Sequence, residues 1–408
     1  MPIAHQEPKL LSWASQLDDN TLAQAKETSQ MPFVFPHVAL MPDAHLGKGS
    51  AVGTVIPTMG AVIPAAVGVD LGCGCVALPT IVRKKDLEGL DLAELRAGIE
   101  KAIPVSMGNY NHDLDLFPFT GDHIAELEAQ AYFHDHIDLS HSPKWRQQLG
   151  TLGGGNHFIE LCLDETDMVW LLLHSGSRGV GNKIANKHIK IAQAQCKQWW
   201  IDLPNPELAY LVEGTEEFSE YIAEMKWAQQ FAYYNRAEMM LRFAEVFGLW
   251  IGHDYQEIQL EVFNVPNDEE LLPHMINNHH NYTQKENHYG KDVWVTRKGA
   301  VDAHEGKRGI IPGSMGTATY IVRGKGDAQG LCSAPHGAGR RFSRTEARKR
   351  FTEADLVEAM TGIEYRHGDA WVDEIPGAYK DIDVVMADAA DLVAVEHTLH
   401  QVMNVKGT

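Results

Sequence analysis

The chain contains no run of about 18 apolar residues, the length a helix needs to cross a bilayer, so no membrane span or membrane partner is expected. Residues 1–10 have neither the basic flank nor the apolar stretch of a secretory leader. Cysteine is scarce: five in 408 residues, too unevenly placed for a disulfide framework. A reducing, cytoplasmic setting follows, in which a cysteine can act as a thiolate. Repeats, low-complexity tracts and a Pro/Gly/Ser-rich linker are also absent, which predicts one compact domain over residues 1–408. Basic residues are in the minority, 35 Lys and Arg against 55 Asp and Glu, for a formal charge of -20. That balance argues against a protein that coats nucleic acid nonspecifically, while leaving room for a local basic groove.

What is present reads as a mixed α/β (α+β) protein, with sheets flanked by helices. Apolar, β-branched stretches predict strands over 33–40, 61–69, 168–174, 293–296 and 319–322, and another over 392–405. Helical periodicity runs through 182–199 and through 217–247, where Tyr221, Met225, Ala228, Ala232, Asn235 and Met239 share a face. Shorter helices are expected over 351–360 and 378–390, and the polar stretch 112–142 reads as an irregular surface excursion. The cationic run Arg340, Arg341, Arg344, Arg348, Lys349 and Arg350 reads as a solvated helix face. Gly-containing turns at 41–50, 70–74, 150–157, 174–181, 312–316 and 336–340 follow several strands. They are expected to converge on one site, because loops held by a rigid scaffold are where chemistry usually sits.

In Asp70-Leu71-Gly72-Cys73-Gly74 a carboxylate and a thiol, three residues apart on a glycine turn, can aim at one point. A thiolate has several lone pairs and can bridge two cations. Three imidazoles can complete the set: His157 after three glycines and Asn156, His174 at the end of an apolar run where a polar group needs a partner, and His280 before Asn281. Oxygen and imidazole ligands suit manganese, and thiolate with imidazole equally suits zinc or iron. Two cations about 3.5–4 Å apart would stabilise the attacking and leaving oxygens of a phosphoryl transfer. His188, His253, His274, His367 and His400 read instead as surface or hydrogen-bonded core residues, and Cys75 as a small buried hydrophobe.

Two further loops suit phosphates. Pro312-Gly313-Ser314-Met315-Gly316 offers backbone N–H groups near small residues, and Arg178 in Ser175-Gly176-Ser177-Arg178-Gly179 can contact a phosphate bidentately beside the metals. In His336-Gly337-Ala338-Gly339-Arg340 small residues leave room around an imidazole. Its free nitrogen is a competent nucleophile toward phosphorus when the other is held as a donor. No Gly-Lys-Ser/Thr string of the P-loop kind occurs, nor the Lys-x-Asp-Gly on which an ATP-dependent nucleic-acid ligase would carry its nucleotide.

Taken in order, Met41-Pro42-Asp43-Ala44-His45-Leu46-Gly47-Lys48-Gly49, the Asp70–Gly74 turn, Gly153-Gly154-Gly155-Asn156-His157-Phe158, the His174–Gly179 loop, His279-His280-Asn281-Tyr282, the Pro312–Gly316 and His336–Arg340 loops and Val405-Lys406-Gly407 resemble the RtcB family of RNA-splicing ligases. The resemblance runs from about residue 31 to the C-terminus. It implies GTP-dependent joining of RNA ends bearing a 2′,3′-cyclic phosphate or 3′-phosphate to ends bearing a 5′-hydroxyl. It implies one manganese ion on Asp70, Cys73 and His157, a second on Cys73, His174 and His280, and a GMP carried covalently by the catalytic His336. Asn156, Phe158, Glu160, His280, Asn281, Pro312, Gly313, Ser314, Met315, Thr319, His336, Gly337, Ala338, Gly339 and Lys406 would line the guanylate pocket. Asp43, Arg178, Arg340 and Arg344 would meet the RNA end, and an archease-like activator would be a partner. Phe342 stands where an aliphatic or methionine side chain is more usual, Thr319 where a serine is expected, and residues 114–142 align poorly with the family.

The ligand set alone also fits a two-metal phosphoesterase, and the full set fits an enzyme that caps 3′-phosphate ends with guanylate without joining them. A noncatalytic RNA-repair scaffold is disfavoured, because all five ligand candidates and the nucleophile are present.

Overall fold

Alternating burial along adjacent strands organises the molecule, whose computed structural model describes residues 9–134, 137–253 and 274–408. Successive side chains of a strand point to opposite faces. In Phe158–Leu163 and Met168–Ser175 one face carries Ile159, Leu161, Leu171 and Leu173, which join Val76 and Leu78 of Gly74–Arg83. That face packs on Met239, Met240, Phe243 and Phe247 of the 35-residue helix Glu216–Trp250, and on Leu95 and Ile99 of helix Leu92–Ala102. Each large aliphatic side chain so buried contributes about 1.5–3 kcal/mol. The opposite face, with Cys75, Phe158, Cys162, Trp170 and Leu172, packs on Ile276, Ile310, Ile321 and Leu399.

These strands belong to an eight-stranded sheet in the order Arg308–Pro312, Thr319–Gly324, Val393–Lys406, Phe158–Leu163, Met168–Ser175, Gly74–Arg83, Ile276–His279, with Glu364–Tyr365 parallel beside Val393–Lys406. A five-stranded sheet runs Leu10–Ser12, Val38–His45, Val52–Thr58, Lys291–Lys298, Asn281–His288. Only His280 separates Ile276–His279 from Asn281–His288, so this histidine stands where the chain passes from one sheet to the other. The fold is mixed α/β, and strand and helix do not alternate.

Several elements differ from their sequence expectation. The strand expected at 33–40 runs instead over Val38–His45; Pro36 has no N–H to give a ladder, and Val34 makes only an isolated bridge to Thr58. The strand expected at 61–69 stops at Val62, because Pro64 opens the short helix Pro64–Val67 at a position where its fixed φ suits a first turn. The helix expected at 351–360 is Glu353–Ala359, opened by a capping box between Thr352 and Asp355, and a separate unforeseen helix, Arg344–Arg350, precedes it. At 378–390 the helix begins only at Ile382, capped by Asp381. Residues 112–142, expected to be irregular, hold the helix Pro118–Glu128 and a π-helical turn, Ala129–His134. The reading of residues 1–10 as carrying no leader falls almost wholly outside the described residues.

A buried polar network ties this last segment to the long helix. Glu238, fully buried, accepts from Thr120 Oγ1 (2.9 Å), and pairs with His123 Nδ1 (2.7 Å) and Arg242 Nη2 (3.2 Å). Arg242 also donates to Asn111 Oδ1 (2.8 Å) and lies over the Phe117 ring. Removing the carboxylate strands a buried guanidinium. Glu238→Ala is therefore expected to lower stability by about 3–5 kcal/mol, read as a fall in the urea midpoint at unchanged slope; an unmoved midpoint would show that the network carries no such weight.

Candidate active site

Strand register gathers residues that are far apart in the chain. Cys75 lies opposite His174, Gly74 opposite both Ser175 and His279, and Phe158 opposite His174. The strand ends therefore bring Cys73, His157, His174 and His280 together, although the first two histidines are 84 and 101 residues from the cysteine. The ligand atoms form two trios that share Cys73: Asp70, Cys73 and His157, and Cys73, His174 and His280, the atoms of each lying within 4.8 Å of one another. Cys73 Sγ is 3.6 Å from His157 Nε2 and 3.2 Å from His174 Nε2; His157 Nε2 is 3.1 Å from Asp70 Oδ2.

The protonation states show what this cluster lacks. His157 Nδ1 faces Leu152 O at 2.8 Å and His174 Nδ1 faces Asn156 O at 3.1 Å, contacts that place the proton on Nδ1 and leave each Nε2 with a lone pair. Burial, then the neighbouring histidines, push His174 and His280 well below the ordinary imidazole range. Their Nε2 atoms nevertheless face each other at 2.9 Å. At that contact at most one proton can lie between the two Nε2 atoms. Burial and the adjacent Asp70 push the Cys73 thiol up, whereas Asp70, which burial alone would raise, is held at about 2 by the neighbouring His157 and Arg178. A divalent cation in each trio satisfies the opposed lone pairs and favours the thiolate, so the donor set fits a metal pair; its mixture of O, N and S suits manganese, zinc or iron alike.

The surroundings leave no slack. A Cβ at Gly176 would overlap the Asp70 carboxylate. Arg236, fully buried on the long helix, braces the cluster from behind by donating to Gly72 O (2.8 Å), Ser175 O (3.1 Å) and Asn277 Oδ1 (2.7 Å). Sequence reasoning missed it, though a cation among apolar positions of the helical face was its signal. Arg178 lies with Nη1 3.5 Å from His157 Nδ1 and Nε bonded to Thr151 Oγ1.

His336 approaches the cluster from the other side, its ring centroid 4.7 Å from that of His280. Asp43 is fully buried behind it rather than on the cavity surface. Its Oδ2 accepts the His336 backbone N–H at 3.0 Å and lies 2.6 Å from Nδ1, close but off the line of a good hydrogen bond. Gly339, at φ +72°, lets the loop pass so close that a Cβ there would overlap the Asp43 carbonyl.

Between these groups lies a cavity of about 400 Å³. All six glycine turns contribute to it. Of the residues expected to hold a nucleotide, Asn156, Phe158, Glu160, His280, Asn281, Pro312, Gly313, Ser314, Met315, His336, Gly337, Ala338, Gly339 and Lys406 line it. Thr319 does not: it is fully buried in the strand behind the 312–316 loop. Burial pushes Glu160 up to about 8 despite Lys406. Arg340 and Arg344 line the cavity, and with Lys406 they converge on Glu374, which no motif had singled out: Arg340 Nη1 at 3.2 Å, Lys406 Nζ at 3.0 Å, and Tyr379 donating at 2.7 Å. His45, Lys48 and Lys298 also line it unforeseen, the last pushed down to about 7 by burial.

Metal binding to the folded state alone raises stability by about 2.7 kcal/mol at 100 times Kd. Adding Mn²⁺ to chelator-stripped protein is expected to raise Tm by several degrees, and Cys73→Ala, which removes the shared ligand of both trios, is expected to abolish that rise.

Residues 24–407 match the family described as tRNA-splicing ligase RtcB. The chain is 47% identical to the RNA-splicing ligase RtcB of Escherichia coli K12, over 94% of its own length and 93% of that relative's. It is 30% identical to the tRNA-splicing ligases RtcB of Pyrobaculum aerophilum, over 91% and 87% of the two chains, and of Nanoarchaeum equitans, over 90% and 87%. On matches that span nearly the whole sequence, the chain belongs to the RtcB family of tRNA-splicing ligases.

Proposed function

We propose that the chain, acting as one catalytic domain over residues 1–408, is a GTP- and manganese-dependent RNA ligase that joins 2′,3′-cyclic phosphate or 3′-phosphate ends to 5′-hydroxyl ends in RNA repair or tRNA splicing. Its family membership supports this reading. The observation that carries it is the pairing of His336 with a buried carboxylate on one side and the two ligand trios on the other. A phosphoesterase has need of the trios but not of that histidine.

The Asp43 carboxylate beside the Nδ1 edge of His336 favours the proton there, which leaves Nε2 with the lone pair. His336 Nε2 attacks the α-phosphorus of GTP, forming a P–N bond as the bond to pyrophosphate breaks. An oxygen of the RNA 3′-phosphate then attacks that phosphorus and releases the imidazole, which leaves guanylate in a diphosphate on the RNA end. The 5′-hydroxyl attacks the RNA-side phosphorus, loses its proton and expels GMP. A cyclic end is first opened by water. Metal ions on the two trios would supply charge neutralisation at the phosphate oxygens. Arg340 and Arg344, held on Glu374 here, have the charge and fork geometry to take an RNA phosphate in exchange, and Arg178 lies beside the first trio. The guanine would sit among Asn156, Phe158, Glu160 and the 312–316 loop, with Lys406 near its phosphate. The RNA ends are the partners, with an archease-like activator and a cytoplasmic location completing the reading.

Intact mass after incubation with GTP and Mn²⁺ tests it. The wild type is expected to gain one GMP, and His336→Ala none. No gain in wild type with metal confirmed on the protein would sink the ligase mechanism in favour of the two-metal phosphoesterase. Asp43→Ala, which keeps the nucleophile but loses its support, is expected to load GMP about 100-fold more slowly at an unchanged final yield.

A further inference from the structure

The 21-residue helix Arg178–Gln198 begins at the site and leads away from it. Its sequence, RGVGNKIANKHIKIAQAQCKQ, carries Lys183, Lys187, Lys190 and Lys197 and no acidic residue. In a chain with 55 Asp and Glu among 408 residues, roughly three would be expected by chance. Lys187 is neutralised by Glu224 and Glu220 of the long helix. Lys183, Lys190 and Lys197 are exposed, and their spacing of seven makes them one stripe: each step drifts by about 20°, so all three fall within about 40° on the helix. Among the described residues Lys183 bonds only to the carbonyl of His141, and Lys190 and Lys197 have no ion-pair partner. The stripe rises about 10 Å per lysine, or roughly three stacked nucleotides.

The helix that carries the stripe starts beside the site, at Arg178, and ends at aromatic surface. Ile189, adjacent in sequence to Lys190, is buried and lines the catalytic cavity, so this helix forms part of the cavity wall. Beyond Lys197 the chain exposes Trp199 (43%) and Trp200 (93%). Trp200 ends the helix at φ +56°, a conformation glycine usually supplies, with its indole in water. Exposed cations followed by an unpacked aromatic ring are what a nucleic-acid strand requires: lysines for phosphates and a ring face for a base. An acidic protein surface would use the lysines but leave the tryptophans unexplained.

We infer that the exposed face of Arg178–Gln198, with Trp200 at its end, is the track along which a single-stranded RNA leaves the catalytic cavity. The inference rests on the ligase reading and extends it to the body of the RNA beyond the reacting end. The track gives affinity without sequence preference, through charge and stacking.

Fluorescence anisotropy of a labelled 30-nucleotide single-stranded RNA ending in a 3′-phosphate tests it on the full chain, in wild type, Lys190→Glu/Lys197→Glu and Trp200→Ala, from 50 to 200 mM salt. The double variant is expected to bind about 10-fold more weakly, and its slope of log Kd against log salt to fall by about 1.4, because two phosphates are no longer neutralised. Trp200→Ala is expected to weaken binding several-fold at an unchanged salt slope. The neutral pair Lys190→Gln/Lys197→Gln, which spares the helix a charge reversal, is expected to lose the same slope. Affinity and slope equal to wild type in both lysine variants would overturn the track. GMP labelling of the wild type reports separately on the ligase reading: labelling without any lysine effect removes the track alone, and a lysine effect without labelling removes the ligase chemistry alone.

Discussion

One sulfur atom sets the geometry of the whole site. Cys73 Sγ belongs to both ligand trios, and it sits where three strands of the large sheet end together. Everything nearby is arranged to tolerate that crowding. Gly176 leaves room for Asp70, Arg236 closes the loop carbonyls from behind, and the Nδ1 atoms of His157 and His174 are turned toward backbone carbonyls, which leaves their Nε2 atoms facing inward. A buried set of lone pairs facing one another is unfavourable by itself, because the inward lone pairs outnumber the protons available to them. The fold holds them there by burying large apolar faces elsewhere.

The second organising feature is the placing of buried carboxylates behind cations and imidazoles. Asp43 stands behind His336, and Glu374 gathers Arg340, Arg344, Lys406 and Tyr379. Each keeps a functional side chain in one orientation, and each is shielded enough for its charge to be felt strongly. The chain can therefore be acidic overall and still gather positive charge locally, in the cavity and along the face of Arg178–Gln198. Net charge describes the average surface, and a binding site is a local departure from it.

The motifs were legible because they are short and local: Asp70 to Gly74, Asn156 to Phe158, Pro312 to Gly316 and His336 to Arg340 each declare a turn rich in glycine with a chemically loaded residue. The long helix and the strand through Leu171 were legible from periodicity. Less so was Pro64, which turned an apolar run into a helix start. The residues that motif reading passed over, Arg236, Lys298 and Glu374, lie in elements whose pattern says only helix or strand.

The sequence by itself determined the chemical inventory: the side chains that could hold metal, the histidine at 336, the glycine turns, and the mixed α/β character. It did so because residue type and spacing of a few positions carry that information. Only the tertiary structure decided which atoms meet. The pairing of Gly74 with both Ser175 and His279 placed Cys73 between histidines, and the packing of the 336–340 loop on Asp43 gave His336 its buried carboxylate neighbour. Register across a sheet and burial behind a loop are properties of contacts between distant segments, and no local pattern in the chain encodes them.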